Sequence, residues 1–417
     1  MVSPTRTSQR IESLDVLRGF ALLGILLLNI LGFGMVSSAY MNPMVGEDAG
    51  ATANLATWAT VDLLFEGAMR GLFSILFGAG VALFTDAARG KTAALHYKRN
   101  FWLLVFGVVD AFVFLWTGDI LITYALAGFL LYPARNASAK RLLIMAGVVF
   151  VLTSATYAGT HFGMSQAFGA AIELRGNPDA GEDIRALAAA WDDFNGDFEQ
   201  TEAETAAELE ARRASYLSAA EWTRGELGPM LLFVLPVIMF WDALLMMLIG
   251  MALYKLHILD GSRSDSFYLR LMLIGFAVGL SVNGYEAYHA ASNEFFALAT
   301  FPYAQWTYHI GRGGMAAGYI GLVMLACRRG WWAGLRTRLA AVGRMALTNY
   351  LMHSLIALFV FTGAGLALVG ELQRWQLYLV VGGIWVLQLI VSPWWLKRHD
   401  FGPVERLWRW LTYRTGA

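Results

Sequence analysis

Apolar runs of about 20 residues alternate with short polar stretches along this chain, the pattern of helices long enough to cross a bilayer core about 30 Å thick. The runs fall at roughly 14–36, 60–86, 100–117, 119–134, 139–160, 229–254, 266–288, 308–327, 343–368 and 375–396. They predict an all-α fold, a polytopic membrane helix bundle of about ten transmembrane helices. Only Gly118 and Asp119 separate the third run from the fourth. A partly apolar stretch, 290–307, reads as a crossing, a re-entrant piece or a segment lying on the membrane.

One long polar region, 161–228, breaks the pattern with 14 acidic and 5 basic residues. Leu187, Trp191, Phe194 and Phe198 recur there at helical spacing, the stripe of an amphipathic helix. Two surface helices are expected, near 181–199 and 201–224. The region separates a five-helix half at 1–160 from another at 229–417 that ends in a basic tail. It reads as a solvated extracytoplasmic insertion or as a lid over an outward-facing cavity.

Charge placement orients the bundle. With the N-terminus inside, 22 of the 31 Lys and Arg residues fall in cytoplasmic segments. That bias is the usual one for loops on the cytoplasmic side, and it places both termini there. Composition agrees with a membrane protein: 57% of the residues are hydrophobic and 15% charged, against about 25% charged in soluble chains. Formal net charge is zero with no basic stripe, so nucleic acid is not an expected partner. Cys327 is the one cysteine and the histidines are scattered, which leaves no disulfide framework and no zinc-type ligand spacing. The glycines at 311, 313 and 314 lack the strand that precedes a nucleotide loop. No permanently bound cofactor is expected, and homo-oligomers are compatible with everything above.

Ionisable residues inside spans are costly and default to functional candidates. In the first span Asp15 and Arg18 are one turn apart, and Asn29 follows Arg18 by eleven residues, close to three turns. Asp15 and Arg18 read as an ion pair or as a clamp for an anion, since guanidinium matches phosphate and carboxylate. In the second span Glu66 and Arg70 are spaced as a helical pair. Asp242 has no local partner, so it needs one from another helix or a proton. Glu286 precedes His289 by three residues, His309 precedes Arg312 by three, and Asn349 precedes His353 by four. Arg344 and Thr348 are expected on one side of the ninth span. His96, His161, His257 and His399 read as ordinary loop residues.

The entry LD-x-x-RG at 14–19, with Asn29 behind it, resembles the first helix of the transmembrane acyltransferase superfamily, which includes the acyltransferase-3 and heparan glucosaminide acetyltransferase types. FSILFGAG (73–80), GRMALTNYLMHS (343–354) and FGPVERLWRWLTY (401–413) are closer still to the YeiB-like membrane proteins, domain of unknown function 418. The resemblance implies a multi-pass protein of the bacterial cytoplasmic membrane. It also implies a departure from the enzymes: Asn29 stands where acyltransferase-3 proteins have their catalytic histidine, and Asn is no general base.

The leading expectation is therefore a membrane acyltransferase with acyl-CoA as co-substrate. Its acceptor is a small-molecule or lipid-linked substrate. In that reading Asp15, Arg18, Arg344, Asn349, Glu66, Arg70 and Arg312 bind substrate or donor, Asn29 polarises the reacting carbonyl, and His353 or His289 is the base. The alternative is a transporter of a small metabolite or lipid-linked intermediate, proton-coupled through Asp242 and Glu286. A non-catalytic membrane partner is the third reading.

Overall fold

The computed structural model describes residues 11–45, 51–85, 92–196, 198–300 and 306–414. The basic stretch 1–10 and parts of 89–99 and 290–307 lie outside the described residues. Among the described residues every regular element is helical. Among the described residues seven helices are long and apolar enough to cross a membrane, or eight if one bent pair is a single span. The fold is the expected all-α polytopic bundle.

Helix α1 (Glu12–Gly34) is mostly buried among its neighbours and leads into the short α2 (Ser37–Met41). The expected second span is two helices, α3 (Thr52–Phe65) and α4 (Ala68–Thr85), parted at Glu66 and Gly67. Gly67 has φ +61°, a conformation that glycine takes without Cβ strain. A Cβ there would press on the side chains of Arg312 and Tyr308 at 2.7 Å. Glu66 and Arg70 are therefore not a pair on one continuous helix.

The third and fourth spans differ from a tight pair of crossings. α5 (Ala93–Phe112) is followed by a non-helical stretch, 113–119, before α6 (Ile120–Leu131). The 12 residues of α6 rise about 18 Å, short of the bilayer core. Within 113–119, Trp116 packs on Phe33 with ring centroids 4.1 Å apart, and Asp119 caps α6 by accepting the Ile122 N–H at 2.8 Å. Irregular backbone is tolerated at membrane depth where protein surrounds it. An apolar run does not report whether its backbone is coiled, so periodicity could not find this break.

Helix α7 (Ala139–Gly176) continues well past residue 160. The polar insertion thus begins inside a helix. It adds α8 (Glu182–Gly196), α9 (Glu202–Ala214) and α10 (Tyr216–Pro229), three helices where two were expected. The extra break lies at Ser215, whose side chain caps α10 by accepting the Ser218 N–H at 3.1 Å. Trp191 and Phe198 of the apolar stripe are buried, whereas Leu187 is exposed. Trp191 meets Phe168 at 4.8 Å and Phe296 at 5.5 Å. From α10 the chain passes through a π-helical stretch at 230–239, which contains Pro236, into α11 (Phe240–Lys255).

The second half holds α12 (Asp265–Ser292), the short α13 (Ala297–Thr300) and α14 (Tyr308–Arg329). The ninth span is α15 (Ala333–Arg344) and α16 (Ala346–Phe361), which meet at 81°. Arg344 and Thr348 accordingly lie on different helices. α17 (Arg374–Leu396) and the terminal α18 (Pro403–Tyr413) complete the fold.

Small residues set two crossings, as tight helix packing in membranes requires. A Cβ on Gly19 would clash with the Leu339 carbonyl oxygen and one on Gly343 with that of Asp15, so α1 and α15 touch through their backbones. Gly78 and Gly250 do the same for α4 and α11, while Gly80 has open space around it.

Candidate functional site

A cavity of about 300 Å³ lies at the end of the bundle that holds Ile11 and Tyr413. The described ends of the chain thus share one face of the bundle, the inner face of the charge bias. Its walls are apolar, with Leu14, Phe73, Phe77, Val81, Leu103 and Leu121 among them. Its polar lining includes Arg18, Arg99, Arg344 and Arg409. Arg18 Nη1 pairs with Asp15 Oδ1 at 2.8 Å, the contact that their spacing predicts. Arg99 lies over the rings of Phe84 at 4.8 Å and Trp408 at 4.4 Å, and Arg409 over Phe401 at 4.0 Å. Stacking on aromatic faces holds a guanidinium without neutralising it. Arg344 donates to the Asp400 carbonyl at 3.2 Å. Among the described residues no carboxylate pairs with Arg99, Arg344 or Arg409.

Two further groups line this chamber. Glu405 of α18 accepts the backbone N–H groups of Leu347 at 2.7 Å and Thr348 at 3.0 Å, so it fills the positive N-terminus of α16. His96, on α5, is buried, and its Nε2 lies 2.8 Å from both the Gly128 carbonyl and Asn100 Nδ2. A ring protonated at Nε2 donates to Gly128 and keeps its basic lone pair on Nδ1, whereas the other tautomer accepts the Asn100 amide at Nε2. Residues 89–99 read as a loop in the sequence, and a loop histidine carries no signal of burial.

A second cavity, of about 100 Å³, is lined by Asp62, Glu66, Arg70, Glu286, Arg312 and Arg374, with aromatic residues between them. Beside it Asp242 finds the partners its isolation demanded. Arg312 is ion-paired with it, Arg70 Nε lies 3.6 Å from Oδ2, and His309 Nδ1 lies 3.5 Å from Oδ1. Tyr308 ties the set together, accepting from Arg70 Nη2 at 2.6 Å and donating to Glu66 at 3.4 Å. Opposite charges gathered from α4, α11 and α14 lower the cost of burying each. The wall between the cavities is thin. Tyr124, which lines the first, reaches Ser74 at 2.6 Å and the carbonyl of Arg70, which lines the second, at 3.2 Å.

The structure brings Asp15, Arg18 and Arg344 together in the inner cavity and Glu66, Arg70, Glu286 and Arg312 in the outer one. Other candidates line neither. Asn29 is half-buried on α1. His353 is buried with Nε2 at 3.1 Å from Gln388, and Asn349 donates to the Val342 carbonyl at 3.2 Å and to Ser392 at 3.0 Å. His289 Nδ1 faces Asn293 at 3.3 Å, while Glu286 accepts from Thr307. The expected Glu286–His289 pairing is therefore replaced by two separate contacts. No group of three or more metal-ligating side chains occurs among the described residues.

The family profile described as "Protein of unknown function (DUF418)" matches residues 253–415. The chain is similar along its length to two bacterial relatives. It is 28% identical over 423 residues to "Uncharacterized protein YxaH" of Bacillus subtilis (strain 168), covering 99% of this chain and 96% of that one. It is 29% identical over 426 residues to "Uncharacterized protein YeiB" of Escherichia coli (strain K12), covering 98% of each. Residues 253–415 thus carry the DUF418 region, and the whole chain resembles the YeiB-like proteins. No solved structure matches it.

The DUF418 match contains two of the motifs noted in the sequence, and both act at the inner cavity. GRMALTNYLMHS forms the 81° bend between α15 and α16. FGPVERLWRWLTY is α18 with its lead-in, and it supplies Glu405, Trp408 and Arg409 to the chamber. The chain is thus a multi-pass membrane protein whose DUF418 region frames a cationic, largely apolar cavity.

Proposed function

We propose that this protein is a membrane acyltransferase of the bacterial cytoplasmic membrane. It takes an acyl group from an acyl-CoA-like donor on the inner side and passes it to an acceptor at or across the membrane. The observation that carries this reading is the inner cavity itself: Arg99, Arg344 and Arg409, unpaired by carboxylates among the described residues, stand over an apolar chamber of about 300 Å³. An anionic head on an apolar tail satisfies both halves, with phosphates on the guanidiniums and the tail against Phe73, Phe77 and Leu121. His96 is the histidine of this chamber and takes the base role in place of His353 or His289. As the acceptor attacks the thioester carbonyl, Nδ1 takes its proton and the CoA thiolate leaves.

Binding tests the first half of the reading. Long-chain acyl-CoA should stabilise the purified protein more than CoA or a neutral acyl ester, and Arg99→Gln with Arg344→Gln should weaken it about tenfold or more. Equal responses to all three compounds, or none, overturn it. Loss of acyl transfer in His96→Asn with acyl-CoA binding retained tests the second half.

The transporter reading rests on a different observation, the two cavities divided by Tyr124 and one turn of α4. A carrier of a small metabolite could use both chambers in turn. Uptake into proteoliposomes without any acyl-CoA turnover would decide for it.

A further inference from the structure

The outer cavity contains a cation whose hydrogen-bonding capacity is unmet. Arg312 is 1% exposed and lines that cavity. Its Nη2 serves Asp242 and donates to His309 Nδ1 at 2.6 Å, but Nε and Nη1 have no acceptor among the described residues. An unmet buried donor costs about 1–3 kcal/mol, more when it is charged. Native structures keep such a group where something else supplies the acceptor.

The facing wall has the opposite deficit. Asp62 and Glu66 stand one turn apart at the end of α3, and Glu286 faces them from α12. Among the described residues no donor reaches Asp62, Tyr308 alone reaches Glu66, at 3.4 Å, and Thr307 alone reaches Glu286. With Asp242, four carboxylates stand against three guanidiniums, those of Arg70, Arg312 and Arg374. The cavity is short of an ammonium on one side and of an oxygen acceptor on the other.

We infer that the outer cavity binds a small amino-acid-type zwitterion, its carboxylate on Arg312 and its ammonium among Asp62, Glu66 and Glu286. The volume of about 100 Å³ restricts the ligand to a compact one. Trp58, Tyr308 and Tyr378 add aromatic surface of the kind that favours an ammonium group. A plain anion would leave the carboxylates unmet, and a plain ammonium would leave Arg312 unmet. The inference is independent of what the inner cavity holds.

The test uses the full-length protein in detergent micelles, with glycine and L-alanine as probes and sodium acetate and methylammonium chloride as controls at equal ionic strength. Calorimetric titration should give saturable binding of glycine or alanine, with acetate and methylammonium weaker by about tenfold or more. Asp62→Asn and Glu286→Gln should each weaken the amino acid about tenfold while leaving the size-exclusion profile and the thermal unfolding of the ligand-free protein unchanged, which separates a lost site from a lost fold. Arg312→Lys should keep the charge and lose affinity. Acetate binding as tightly as glycine would mean a simple anion site and overturn the inference. So would the absence of saturable binding by folded wild-type protein, or binding that survives both carboxylate substitutions.

Discussion

Glu405 and Thr348 join the last helix of the chain to the bend in the ninth span. Glu405 Oε2 accepts the Thr348 hydroxyl at 2.5 Å and Oε1 accepts its N–H at 3.0 Å. A Cβ on Gly402 would collide with this carboxylate. The pair explains why α18 lies over the inner cavity.

Replacing Glu405 with Ala removes a helix cap of the kind that contributes about 0.5–2 kcal/mol. Thermal unfolding of Glu405→Ala should start earlier, and limited proteolysis should cut residues 397–402 faster than in wild type. Unchanged cleavage would mean that α18 is held by other contacts.

Asp242 is the hub of the charged cluster. Asp242→Asn should destabilise by about 3–5 kcal/mol, because it leaves the buried Arg312 without its carboxylate. Adding Arg312→Gln should restore part of that loss in a double-mutant cycle. Strictly additive losses would show that the two residues do not act as a pair.

The α1–α15 crossing makes a steric prediction. Gly343→Ala should separate the helices and reduce yield of folded protein sharply, since the neighbour is the Asp15 backbone rather than a movable side chain. Gly80→Ala, with open space around it, should fold normally. Size-exclusion profiles of the two variants compare them directly, and equal profiles would refute the backbone contact.

Arg212 fastens the polar insertion to the bundle. It pairs with Glu208 at 2.8 Å and donates to the carbonyls of Phe33 and Met35, each at 2.8 Å, near the end of α1. Both side chains are almost fully buried. Arg212→Ala should cost about 3–5 kcal/mol by leaving the buried Glu208 without a counter-charge, and hydrogen exchange in α9 should rise with it. Normal protection of α9 would assign the docking to apolar contacts alone.

Local patterns were legible where cause and effect lie within a few residues. Asp15 and Arg18 meet as their spacing requires, and Trp191 and Phe198 turn inward as their stripe requires. Asp242 was identifiable as a residue in need of a partner, but not which one, because Arg70 and Arg312 approach it from other helices. His96 was missed for the same reason: its neighbours Gly128 and Tyr132 are distant in sequence.

The sequence by itself determined an apolar, all-helical, multi-pass protein, because hydrophobic length and charge bias are written along the chain. Tertiary structure alone decided where the helices break, at Glu66–Gly67, at 113–119 and at Met345, and so which polar residues share a cavity. The physical reason is that a break within an apolar run changes no hydropathy. It redirects side chains and satisfies its freed backbone groups through residues far away, as Glu405 does for α16.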